Sequence, residues 1–299
     1  MCVGLDPVYE KLPGSIRSGD GVNDLTAQET SVLERKALAL HDYCSSVIEV
    51  IADLVPCVKL QSACFERYRT IGVEIYHELI QQAHEAGLII IGDAKRGDIG
   101  ISAEHYAAGC LSDGPRKQMH KEEPFAGPDA LTINAYFAGD GIEPFTKICA
   151  AESKGLFALV RTSNPSGDAI QSLKLVNGDT VAEAVAKIVA QLGAGPGLVG
   201  KSGYSALGAV VGATKAADAK RLRELMPQQI FLVPGFGAQG GSADDVKACF
   251  KSDGTGAVIT ASRSVIFAYE KDTSVPWLKA IEKATIAMKK DVNAAIGIA

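Results

Sequence analysis

The chain has 299 residues, 47% hydrophobic and 22% charged, a globular composition that excludes a disordered chain and leaves either two ordinary domains or one large barrel. Thirty Lys and Arg against 35 Asp and Glu give a formal charge of −5, so there is no basic field to hold nucleic acid or an anionic membrane. Seven scattered cysteines without a CxxC pair suit neither a disulfide framework nor a zinc cluster; Asp6 stands where a signal peptide needs apolar residues, and no apolar run approaches about 18 residues, so a soluble cytoplasmic protein is expected.

Short apolar runs recur at 2–6, 57–61, 88–93, 130–134, 156–161, 208–213, 230–233 and 257–260. Between them, segments such as 26–54, 71–87, 179–192 and 215–225 return apolar residues every three or four positions, the period of an amphipathic helix. Eight rounds of strand and helix predict parallel pairing and a single (β/α)8 barrel domain over 1–299. Two stretches break the rhythm: 111–128, rich in Gly, Pro and charge, and 191–207, rich in Gly and Ser. Both read as insertions on loops, because a strand resumes after each.

Two glycine motifs fail their structural tests. GPGLVGKS at 195–202 fits the phosphate-loop pattern, but it follows a helical stretch (VAEAVAKIVAQL) and leads toward a strand, the reverse of the required order. GFGAQG at 235–240 follows a strand, yet Arg263 stands where a dinucleotide site needs a carboxylate for the ribose. Phosphate binding through the backbone amides of those glycines is the smaller claim that survives.

The strongest signal is DAKRGDI at 93–99, directly after the apolar LIIIG. Alternation along a strand would aim Asp93 and Lys95 together from its carboxyl end into the barrel mouth. With Lys59 (in VKLQ) and Asp98 they form a set whose charges sum to zero, the condition under which ions tolerate partial burial. A structural ion-pair cluster explains one Asp-x-Lys as well as an active site does. The other strand ends favour a site: Asp6, Arg161-Thr162-Ser163, Gly235 with Gln239, and Arg263 gather polar groups at the face where barrel active sites sit. Carboxylates beside Lys95 favour its ammonium, which suits a proton donor to a developing carbanion better than a Schiff-base amine. His41, His77, His84, His105 and His120 fall on predicted helices or the insertion and read as surface or packing residues, so no metal-ligand set accompanies the lysines.

The ordered set GLDP (4–7), VKLQ (58–61), DAKRGDIG (93–100), RTSNP (161–165), VVGAT (210–214), VPGFGAQGG (233–241) and ASRS (261–264) closely resembles the orotidine 5′-monophosphate decarboxylase family, in particular its longer-chain subgroup. The DxKxxD element is the most specific, although barrels acting on ribulose and hexulose phosphates share a similar one. The resemblance implies metal-free and cofactor-free decarboxylation of orotidine 5′-phosphate to UMP. Lys95 would protonate C6, Asp93 would hold Lys95 and sit near the substrate carboxylate, and Lys59 would bridge Asp93 and the ribose. Asp6 and Gln61 would meet the ribose, although relatives often carry a shorter amide at the Gln61 position. Thr162 and Ser163 would contact the pyrimidine. Pro234, Gly235, Gly237 and Arg263 would hold the phosphate, and Gln239 would lie over phosphate and base in a closing loop. Asp98 and Ile99 would reach into a neighbouring subunit's site and Ser102 would contact its phosphoribosyl group, so a homodimer with shared sites is implied. Members carry a segment ahead of the first strand, so a longer native chain is expected. Two alternatives stand beside this reading: another sugar-phosphate lyase on the same barrel, and a nucleotide-binding protein without catalysis.

Overall fold

The structure is a computed structural model describing residues 1–17, 31–118, 121–212, 216–235 and 246–298. Its strands are β1 (Cys2–Leu5), β2 (Cys57–Gln61), β3 (Ile89–Arg96), β4 (Gly114–Gln118), β5 (Lys121–Phe125), β6 (Ala130–Ile133), β7 (Gly155–Arg161), β8 (Ser205–Val211), β9 (Gln229–Pro234) and β10 (Ala257–Ala261). Its helices are α1 (Gly14–Arg17), α2 (Val32–Ile51), α3 (Ser62–Glu66), α4 (Arg69–Glu85), α5 (Gly100–Cys110), α6 (Ala138–Glu152), α7 (Asp168–Gln171), α8 (Val181–Gly193), α9 (Ala216–Leu225), α10 (Arg263–Ile266) and α11 (Trp277–Ala295). Among the described residues, eight strands follow the order β1-β10-β9-β8-β7-β6-β3-β2 and close into a barrel, as the strand-helix alternation predicts. Backbone contacts gather into two compact units, one of Cys2–Asp93 with Ser262–Lys289 and one of Ala94–Ala261 with the chain end from Lys290.

In the first unit, β1 and β2 pair in parallel with Gly4 opposite Lys59, and β2 pairs with β3 with Gln61 opposite Asp93. All four residues of β1 are buried, which is why it reads as an unbroken apolar run. Helix α2 opens on a capping box in which Ser31 and Glu34 satisfy each other's backbone N–H groups. Leu40, Tyr43, Cys44, Val47, Ile48 and Ile51 form its buried stripe at helical spacing. The Tyr43 hydroxyl donates to the Ile266 carbonyl while its ring stacks on Trp277, tying α2 to α10 and α11.

In the second unit, β6 to β10 pair consecutively in parallel. Gly208 of β8 admits close packing, since a Cβ there would lie 2.6 Å from the Ile230 carbonyl oxygen and 2.9 Å from the Phe157 ring. Arg223 of α9 donates to the carbonyls of Met226, Gln229, Cys249 and Gly256 and lies 3.5 Å from the Phe231 ring centroid. Burial pulls this guanidinium down to about 10. Helix α8 opens on a second capping box, Thr180 with Glu183, whose carboxylate also accepts from Arg221.

Three expectations change in detail. The 111–128 insertion contains an antiparallel hairpin, β4 with β5, so the loop reading missed two strands. Its base is held by Lys154, which donates to Asp113 at 2.7 Å and to the Gly127 carbonyl at 3.2 Å. The second insertion shortens, because α8 runs to Gly193 and β8 begins at Ser205. Its phosphate-like motif follows a helix and precedes a strand, as the order of periods indicated. Strand β3 extends to Arg96, beyond the apolar run that marked it. His41, His77, His84 and His105 lie on α2, α4 and α5, while His120 lies outside the described residues.

Gly208→Ala is expected to lower the unfolding free energy by about 1–3 kcal/mol through overpacking. Gly109→Ala, on α5 with open space around it, should be neutral or stabilising by up to about 1 kcal/mol. Chemical denaturation of the two variants checks the contrast. The α8 cap carries a pH signature, because backbone hydrogen bonding at Thr180 and the Arg221 guanidinium hold the Glu183 carboxyl down to about 2. Its contribution should be complete above the ordinary glutamate value of about 4.3 and be lost as pH falls through about 2. Glu183→Ala should therefore destabilise the chain at neutral pH and by less at pH 2, measured by thermal melts at both.

Candidate active site

The chemistry gathers where the strands end. Asp6 follows β1, Gln61 closes β2, Asp93 and Lys95 lie in the last turn of β3, Thr162 and Ser163 follow β7, Pro234 closes β9, and Arg263 stands two residues after β10. All are carboxyl ends of parallel strands, the end at which active sites of this architecture sit.

In the first unit, Lys59 Nζ donates to Asp93 Oδ2 at 2.7 Å and to Asp6 Oδ1 at 3.2 Å. The Lys59 and Asp93 side chains are only 7% and 8% exposed, so the ions meet where water screens little. Gln61 Nε2 also donates to Asp93 Oδ2, at 3.1 Å. Burial works against the Lys59 ammonium, yet Asp6 and Asp93 outweigh it and raise its pKa above the ordinary lysine value. Lys59 is therefore a fixed cation throughout the neutral range. Gly4 makes room for it, because a Cβ there would lie 3.5 Å from Lys59 Cε and 3.0 Å from Ser262 Cβ. The Ser262 hydroxyl is buried without a hydrogen-bond partner among the described residues, and exposed Arg263 opens α10 directly after it.

Asp6 joins the expected set of two lysines and two aspartates through Lys59. The second carboxylate on Lys59 is Asp6, delivered by the β1 and β2 register, whereas Asp98 turns its Oδ1 to the Ile99 backbone N–H at 2.8 Å. Lys95 has φ +49°, in the left-handed region that non-glycine residues avoid, so the pleat no longer sets its direction. Asp93 is buried and Lys95 is exposed.

In the second unit, the Lys95 N–H donates to Thr132 Oγ1 at 3.0 Å, and the next carbonyl, of Arg96, accepts from the Asn134 N–H at 2.7 Å. Gly97 lets this turn approach β6, since a Cβ there would lie 3.0 Å from Asn134 Cβ. Thr132 and Asn134 were missed by sequence reasoning; a threonine inside the apolar run 130–134 was the available signal. Ser102 is exposed on α5, and Ile99 is 52% exposed. Arg161 is no open cation at the barrel mouth. It is buried, with its guanidinium on Asp168, Asp218 and Gln171. Gly235 takes φ +99° directly after Pro234, while Gly237 and Gln239 lie outside the described residues. Among the described residues no group of three or more His, Cys, Asp or Glu is placed to hold a metal ion, and no helix is long and apolar enough to cross a membrane.

The profile described as the orotidine 5′-phosphate decarboxylase / HUMPS family matches residues 1–275. Orotidine 5′-phosphate decarboxylase of Rhodopirellula baltica is 42% identical over 298 residues, covering 98% of this chain and 93% of the relative. The enzyme of the same name from Caldicellulosiruptor bescii is 36% identical over 296 residues, covering 99% and 94%. Among solved structures, the OMP decarboxylase of Leishmania donovani is 26% identical with a TM-score of 0.69, covering 100% of this chain and 94% of its own. A Streptomyces avermitilis structure reaches a TM-score of 0.75 at 28% identity, covering 99% and 91%. With a family profile spanning most of its length and relatives above 30% identity over nearly all of it, the chain belongs to the orotidine 5′-phosphate decarboxylase / HUMPS family.

Proposed function

We propose that this chain decarboxylates orotidine 5′-phosphate to UMP, a step of pyrimidine biosynthesis, as a single cytoplasmic barrel domain needing neither metal nor organic cofactor. The observation that carries the reading is the Asp6–Lys59–Asp93 cluster at the strand ends, with Lys59 and Asp93 buried, in a family whose relatives bear this activity's name. Two carboxylates against one ammonium leave an excess negative charge, and Lys95, two residues after Asp93, supplies the second cation.

In this reading the bond from C6 to the carboxylate breaks, its electron pair stays on C6, carbon dioxide leaves, and the Lys95 ammonium delivers a proton to C6. Placed positive charge beside the developing carbanion lowers the barrier. Asp93 holds Lys95, and Lys59 bridges Asp93 and the ribose with Asp6 and Gln61. The Thr162–Ser163 turn takes the pyrimidine. Pro234, Gly235 and Arg263 hold the phosphate, joined by Gly237 and Gln239. Binding energy from the phosphate and ribose then serves the reacting carbon.

The same proposal makes the chain a homodimer, with Asp98, Ile99 and Ser102 serving the neighbouring site. Its support is an apolar surface: Ile101 is 69%, Tyr136 84% and Phe137 42% exposed, beside Ile99. The two loops adjoin, because a Cβ on Gly141 would lie 2.8 Å from Phe137 Cβ and 3.2 Å from the Asp98 carbonyl oxygen. Contiguous exposed apolar groups of this kind mark association surfaces.

Lys95→Ala should abolish carbon dioxide release from orotidine 5′-phosphate while leaving the circular dichroism spectrum and UMP binding in place; near-normal turnover by this variant would sink the assignment. Wild-type turnover should persist in excess chelator, whereas loss on chelation, restored by a divalent metal, would point to a lyase of another kind. Ile101→Asp should shift the sedimentation coefficient from dimer to monomer and lower kcat/KM. An unchanged coefficient and rate would place the interface elsewhere.

A further inference from the structure

We propose that Gln171, anchored by Arg161, is a positioning residue that presents Ser163 to the pyrimidine; this rests on the reading of the Thr162–Ser163 turn as the base contact. Gln171 closes the short helix α7, nine residues beyond Thr162, and uses both ends of its amide on that residue. Its Oε1 accepts from the Thr162 N–H at 3.0 Å, and its Nε2 donates to Thr162 Oγ1 at 2.7 Å. The Thr162 hydroxyl in turn donates to Asn164 Oδ1 at 2.5 Å. That hydroxyl is committed inside the turn, which leaves the Ser163 hydroxyl as the one to meet the base.

The clamp is itself held. Arg161 Nη1 donates to the same Gln171 Oε1 at 3.2 Å, while Nη2 and Nε engage Asp168 and Asp218. A shift in strand register between Leu159 and Arg161 re-aims this end of β7, a device common beside active sites. Gly167 makes space for the three polar groups, since a Cβ there would lie 3.1 Å from Thr162 Oγ1 and 3.3 Å from Gln171 Nε2. From the other side, a Cβ on Gly212 would lie 3.0 Å from the N, Cα and Cβ of Ser163, so the backbone directly after β8 limits where this serine can move. A cavity of about 150 Å³ adjoins the clamp, lined among others by Arg161, Gln171, Asp218, Glu183 and Arg221.

The test compares Gln171→Leu, which keeps the volume but loses the amide, with Gln171→Glu, which keeps the acceptor for Thr162 and Arg161. Gln171→Leu should lower kcat/KM for orotidine 5′-phosphate by about 10- to 100-fold, the scale of a misplaced binding group. Binding of ribose 5-phosphate, which has no base, should not change, and Gln171→Glu should restore most of the loss. Equal weakening of ribose 5-phosphate, an unchanged kcat/KM, or no rescue by the glutamate would overturn the proposal. If the wild-type chain releases no carbon dioxide, the decarboxylase reading fails by itself. UMP binding by calorimetry then decides the clamp: a loss confined to UMP in Gln171→Leu supports it. A wild-type chain that does not bind UMP, or parallel losses for UMP and ribose 5-phosphate, overturns it.

Discussion

An ammonium buried between two carboxylates sets the terms for the amino-terminal strands. Lys59 can sit 7% exposed only because Asp93 and Asp6 lie within 3.2 Å, and each is delivered by strand register. A one-residue slip of β2 would turn its side chains to the opposite face and leave an unpaired charge in a poorly screened place. Buried ion pairs add little to net stability compared with apolar packing, so the cluster is better understood as a demand the barrel meets than as what holds it together. The holding is done by the apolar strands and by stripes such as Leu40 to Ile51 on α2.

Around this cluster the backbone makes room instead of filling space. Gly4 leaves a path for the Lys59 stem, Gly97 brings the turn after β3 against Asn134, and Gly212 presses on Ser163. Lys95 carries the complementary burden, a left-handed backbone on a residue with a side chain, held through its N–H by Thr132. Such strain persists only where surrounding bonds over-determine it, and it concentrates at functional positions. The polar network at β7 follows the same logic, with Arg161 spent on Asp168, Asp218 and Gln171 and the turn beyond it kept in one shape.

The overall acidity of the chain sharpens the electrostatic reading. With a formal charge of −5, the molecule does not attract an anionic substrate from a distance, so binding a phosphate and a carboxylate falls to individually placed cations and backbone amides. Lys59 is held charged by its neighbours, and Arg263 stands at the start of a helix after the last strand.

Much of this was legible before any coordinates, because it is periodic or local. Runs of buried residues mark the parallel strands, three-and-four spacing marks α2, α4 and α8, and the order of periods around 195–202 excludes a phosphate loop. The motifs marked Lys59, Asp93, Lys95 and Asp98 as a charged set and Asp6 as a polar strand end, since a charged residue at the end of an apolar run has no packing reason to be there. Folding decided what depends on distance through space. Asp6 meets Lys59 because strand register brings together residues 53 positions apart. The left-handed backbone at Lys95 is accompanied by a bond from its N–H to Thr132, 37 residues on. Gln171 and Asp218 converge on Arg161 from separate helices, a meeting that leaves no period or motif in the chain. Periodicity records which face of an element is buried; which polar atoms meet at the end of a barrel is set only when its strands are brought side by side.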